Sequence, residues 1–127
     1  MNSFQVLLEE NLILNNSVNE GAIYDENGEV KASSKGWILK DREFLLIKNL
    51  FKQPSDAFSD GIMVDGEVFN CIQADDKSIY GKIGDRGLLL SKSRNYITMA
   101  YYNESNKVDV AKLNVERLSD ALRGKGL

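Results

Sequence analysis

The sequence has no histidine and one cysteine, Cys71. Without histidine it lacks the residue most used as general base and metal ligand. One thiol cannot build a thiolate metal site, and Cys71 has no histidine to activate it as a nucleophile. Its apolar neighbours in a strand-like segment predict a buried, inert thiol. A lone cysteine also excludes an internal disulfide, which fits a reducing, cytoplasmic setting. No apolar run approaches the roughly 20 residues of a membrane span, and no basic segment followed by an apolar one opens the sequence, so no signal peptide is expected. The sequons Asn15-Asn16-Ser17 and Asn103-Glu104-Ser105 are accordingly read as chance matches. Lysine and arginine are absent from residues 1–30, which carry Glu9, Glu10, Glu20, Asp25, Glu26 and Glu29.

What remains is a chain of 127 residues, 43% hydrophobic and 28% charged, with net charge −3. One soluble α+β domain spanning residues 1–127 is expected. The small net charge argues against nucleic-acid binding. Its distribution is informative: Lys77, Lys82, Arg86, Lys92 and Arg94 face only Asp85 across residues 77–94, which predicts a locally positive sheet face able to steer an acidic partner. Asp75-Asp76 reads as a turn, since it lacks the alternating oxygen ligands of a calcium loop. "GKIGDRG", residues 81–87, reads as a hairpin; a phosphate-binding loop needs its lysine at the far end, opening a helix. No catalytic residue, metal or cofactor is assigned, and the chain is not expected to be an enzyme. A broad sheet with a positive stripe offers a surface to another protein or to an anionic membrane.

Phe4, Leu8 and Leu12 recur every four residues and predict a helix from Ser3 to about Leu14, capped by Ser3 or Asn2. Ala22–Tyr24 and Glu29–Ala32 flank Asn27-Gly28, a hairpin signal because both residues tolerate positive φ; "SSKG" follows as loop. Asp41 to Lys52 carries the stripe Phe44, Ile47, Leu50 and Phe51, with Asp41 as cap, and Pro54, the only proline, stops it. A short turn then holds Phe58. Met63-Val64, Val68–Gln73, Ser78–Ile83, Leu88–Lys92 and Tyr96–Tyr102, each separated by a turn signal, predict an antiparallel meander. A last helix from about Val110 to Arg123, capped by Asp109, shows Ala111, Val115, Leu118 and Leu122 on one face.

Three stretches resemble the profilin family. "GIMVDGEVFNCIQAD" is similar to its central strand–turn–strand segment, "SIYGK" to the strand that usually reads "VIRGK", and "NVERLSDALRGKGL" to its closing helix and tail. "SFQVLLEENL" and "GAIYD" sit where profilins place the first helix and first strand. "LFKQP" and "QADDKSIYGK" further resemble the divergent fourth, testis-type vertebrate subgroup. The resemblance implies a central antiparallel sheet with both terminal helices on one face and a further helix on the other. It also implies binding of monomeric actin, proline-rich ligands and polyphosphoinositides at the cytoskeleton, by a monomer.

Carried over position by position, the resemblance places actin contacts at Phe58, Asn70, Gln73, Tyr80, Lys82, Lys92 and Lys112. Tyr80 and Gln73 stand where arginine is usual, Val68 where lysine is, and Asp109 and Leu113 depart as well. Weak to moderate actin binding is therefore expected. The groove for proline-rich ligands retains Phe4, but its other aromatic positions fall on Leu7, Lys31, Ala121 and Leu127. Trp37, the only tryptophan, lies outside it, so that site is expected to be degraded. The alternative is an acidic-phospholipid binder with little actin affinity, using Lys82, Lys92, Arg94, Arg123 and Lys125.

Overall fold

The computed structural model describes residues 2–34, 37 and 39–127. The loop read at "SSKG" falls partly on Lys35 and Gly36, outside the described residues. Helix α1 (Ser3–Leu8) is capped by Asn2, whose Oδ1 accepts from the Gln5 N–H at 2.8 Å. It runs on into a π-helical stretch, Glu9–Ile13, closed by the Leu14 N–H on the Glu9 carbonyl at 2.8 Å. Then come β1 (Glu20–Asp25), β2 (Val30–Ser33), α2 (Asp41–Lys52), α3 (Asp56–Asp60), β3 (Ile62–Val64), β4 (Glu67–Ala74), β5 (Ser78–Ile83), β6 (Arg86–Lys92), β7 (Tyr96–Tyr102) and α4 (Val108–Gly124).

The strands form one seven-stranded antiparallel sheet in the order β2-β1-β7-β6-β5-β4-β3. The meander β3 to β7 is as the turn signals predict, and β1 closes onto β7. Each face carries its own core. Leu88 and Leu90 pack with Phe44, Ile47 and Phe51 of α2, while Leu89 packs on the other face with Leu8, Leu12, Val115 and Leu118. Strand β6 is therefore an unbroken leucine run buried on both sides. Each such side chain contributes about 1.5–3 kcal/mol.

Local details differ from the sequence reading. Residue Lys40, not Asp41, is the cap of α2; its N–H donates to the Glu43 carboxylate at 3.3 Å. Glu43 is buried and also accepts from the Gly66 N–H at 2.9 Å, tying the start of α2 to the β3–β4 turn. Helix α4 begins at Val108 behind Lys107, which leaves Asp109 inside the first turn. In the first hairpin only Gly28 takes positive φ. Asp25 organises that turn, its Oδ1 accepting from the N–H groups of Asn27 and Glu29 at 2.9 Å each. Asp65 and Gly66 both take positive φ, as their dipeptide suggested. No helix among the described residues is long and apolar enough to cross a membrane.

Candidate functional site

Three surfaces collect the residues assigned from sequence. The first lies where α4 starts, beside β5 and β4. Strand β4 carries a bulge, its register with β5 shifting between Cys71 and Gln73. Residues three apart in a regular strand point to opposite faces. The extra residue, Ile72, lets Asn70 pair with Lys82 and Gln73 with Tyr80, so all four share the α4 face. Lys112 of α4 lies over the Tyr80 ring, 5.5 Å from its centroid. One turn on, Glu116 accepts from the Ser78 hydroxyl at 2.7 Å. Val68 (50% exposed) and Ile72 (49%) add apolar surface, as does Phe58 (60%) on α3, which packs against β4.

Two residues here differ from the sequence reading. Cys71 is only half-buried and its Sγ donates to the Gln73 carbonyl at 3.3 Å. Burial still pushes its thiol up, which favours the protonated over the nucleophilic form. Tyr80 is buried, and that burial, reinforced by the Glu116 carboxylate, pushes its phenol up to about 12. The neutral form is the one the fold favours. The associated stability is present below pH ~10 and is lost between about 10 and 12. Unfolding in urea should show stability falling with pH above ~10, less steeply in Tyr80→Phe. Tyr24 and Tyr102 are pushed up by burial too, so some slope remains. Equal slopes in both proteins would contradict this.

The predicted single positive face is two. Lys82 pairs with Gly87 at the β5–β6 turn, whereas Lys92 and Arg94 lie at the β6–β7 turn, the opposite sheet end. Lys92 is thus separated from the other residues assigned to actin, and Lys82 from the others assigned to lipid. Arg86 belongs to neither group, being held by Glu67 through two bonds of 2.9 and 2.6 Å.

The second surface is a basic basin at that β6–β7 end. Lys77, Lys92, Arg94 and Arg123 border one depression with Asp76, and Lys48 and Lys52 of α2 border the adjoining one with Phe51. Arg123 donates to the Lys92 carbonyl at 2.6 Å and pairs with Asp120 at 2.6 Å. Exposed Lys125 follows α4. The two α2 lysines escaped the sequence reading because their proximity to Lys92 is set only by packing of α2 on the sheet.

The third surface lies between the terminal helices, which pack together in the second core. The Phe4 ring sits 4.8 Å from that of Tyr96, which supplies an aromatic group missed in sequence. Leu7 is half-buried there and Ala121 exposed. Leu127 is anchored by its backbone, its N–H on the Leu122 carbonyl at 2.9 Å and its carbonyl accepting from Asn95 at 2.7 Å. Lys31 is turned to Glu29 (3.5 Å) and Asp25 (3.8 Å). Trp37 packs against the core of the opposite sheet face. Among the described residues no cluster of carboxylate or cysteine ligands is arranged to hold a metal ion.

A family model described as Profilin matches residues 2–127. Profilin-A of Physarum polycephalum is 40% identical over 124 residues, 98% of each chain. The crystal structure of profilin II of Acanthamoeba castellanii superposes with a TM-score of 0.92 at 32% identity, covering 98% of this chain and 100% of that one. A LokiProfilin2 structure, solved as a complex with rabbit actin, superposes at 0.78 over 98% of both chains, but at 14% identity it speaks to fold alone. The finer likeness to the testis-type vertebrate subgroup finds no support; the sequence relatives include slime-mould, amoebal and yeast profilins.

Proposed function

The chain belongs to the profilin family, and from that premise we propose that it binds monomeric actin through the α4–β5–β4 face and so regulates filament assembly in the cytoplasm. The observation that carries this reading is the bulge in β4. It brings Gln73 to the face that Asn70, Lys82 and the buried Tyr80 share, with Lys112 over the Tyr80 ring and exposed Val68, Ile72 and Phe58 as apolar surround. Cations flanking an apolar centre suit an acidic protein partner. The affinity is modest, in the micromolar range, because Tyr80, Gln73 and Val68 occupy positions at which the family carries cations. The mechanism is steric and involves no chemical step: a monomer covered at this face is withheld from nucleation while remaining competent to join a filament end. Pyrene-actin assembly tests it, with a longer lag on addition of the protein expected and an unchanged lag against it.

Proline-rich binding is weak in this reading. Such ligands need several aromatic faces, and this groove offers Phe4 and Tyr96 with Lys31 where a ring would close it. Lys31→Trp should raise affinity for a long polyproline peptide tenfold or more, roughly one anchor's worth. Wild-type binding already equal to that of the variant would contradict this. Emission from Trp37 should stay unchanged on adding the peptide to wild type.

The second reading, acidic-phospholipid binding, is favoured by the basin of Lys48, Lys52, Lys77, Lys92, Arg94 and Arg123. Each such cation contributes about 1 kcal/mol near an anionic surface. The basin lies away from Lys82 and Lys112, so the two readings separate by mutation.

A further inference from the structure

On the sheet face that carries α2, at the end bearing the β3–β4 and β5–β6 turns, a cavity of about 270 Å³ opens between Trp37, Phe69 and Tyr101. None of the three surfaces above includes it. Phe69 forms the buried floor, edge-on to Tyr101 with centroids 6.4 Å apart, while Trp37 and Tyr101 are only partly covered. Among the described residues the rim is acidic: Glu20, Asp65 and Glu67 stand against one cation, Arg86. Arg86 is already committed to Glu67 through both terminal nitrogens. Glu20 lies directly across the β1–β7 ladder from Tyr101 and lines the same cavity; its Oε2 accepts from the Ser34 hydroxyl at 2.5 Å, which leaves its negative charge without a cationic partner among the described residues.

Aromatic faces beside carboxylates attract a cation, and a planar guanidinium both stacks on indole and hydrogen-bonds to carboxylate. At about 270 Å³ the cavity is smaller than most small-molecule pockets and suits one long side chain. We propose that this cleft receives an arginine side chain of a partner polypeptide, between Trp37 and Tyr101 with Glu20 as its counter-charge. It is a docking point on the sheet face opposite α4, so its occupant and a ligand on the α4–β5–β4 face bind together.

Trp37 is the only tryptophan, so its emission reports the cleft directly. The probe is a capped Gly-Arg-Gly peptide, with its neutral citrulline counterpart as control. The arginine peptide should change Trp37 emission saturably, with half-saturation at a few millimolar, about −3 to −4 kcal/mol. It should also shift the amide resonances of Glu20 and Tyr101. Glu20→Gln, checked as folded by circular dichroism, should weaken binding at least fivefold. A linear, unsaturating response, an equal response to the citrulline peptide, or indifference to Glu20→Gln would overturn the proposal. So would a Trp37 response to polyproline with none to arginine.

Discussion

Gly87→Ala should destabilise the protein by about 3 kcal/mol, at the top of the range for overpacking a core, and lower its melting temperature by roughly ten degrees. A Cβ at Gly87 would fall 2.0 Å from Cζ and 2.2 Å from the hydroxyl oxygen of Tyr102. Tyr102 pairs directly with Gly87 across β6 and β7, and its ring lies flat over the glycine. Tyr102 is 2% exposed and enclosed by the core that α1 and α4 share, so its ring yields only by repacking that core. The missing side chain is therefore what admits the aromatic. Pairing Gly87→Ala with Tyr102→Val should restore part of the loss, so the two substitutions cost less together than their sum. Additive losses, or a Gly87→Ala protein within half a kcal/mol of wild type, would refute this packing account.

The double substitution Lys82→Glu with Lys112→Glu should weaken binding to monomeric actin ten- to a hundredfold. Lys112 is the cation over Tyr80, and Lys82 sits exposed across from Asn70 on the same face. Reversing both turns attraction into repulsion, slows association and reverses the salt dependence. Lys92→Glu, at the other end of the sheet, should leave actin affinity within twofold while reducing co-sedimentation with anionic vesicles. The opposite assignment, with Lys92 governing actin and the pair governing vesicles, would exchange the roles of the two ends.

The contrast between Lys82 and Lys92 shows what was legible in the sequence. Helix stripes such as Phe4, Leu8, Leu12 and Ala111, Val115, Leu118 encode burial at a fixed local period, and Asp65-Gly66 encodes its turn in two residues. These features were readable because their physics is local. The stripe from Lys77 to Arg94 read as one positive face because sequence distance ignores the reversal at Gly84-Asp85, which sends β6 back along β5 and leaves Lys92 at the far end. Nothing local marks the bulge at Ile72, since it exists only in the register with β5, yet it decides that Asn70 and Gln73 share a face. Tyr96 escaped for a related reason. It reaches Phe4 across a contact spanning most of the chain, and its local pattern marks only the start of a strand. The likeness of "LFKQP" and "QADDKSIYGK" to the testis-type subgroup rests on stretches too short to choose a branch of the family.

The most direct measurement is calorimetric titration of the unmodified protein into monomeric actin at two salt concentrations. One-to-one saturable binding at about 1–50 µM, weaker at the higher salt, is the predicted result. Absence of binding at low salt, with actin confirmed as assembly-competent, would contradict the assignment of the α4–β5–β4 face.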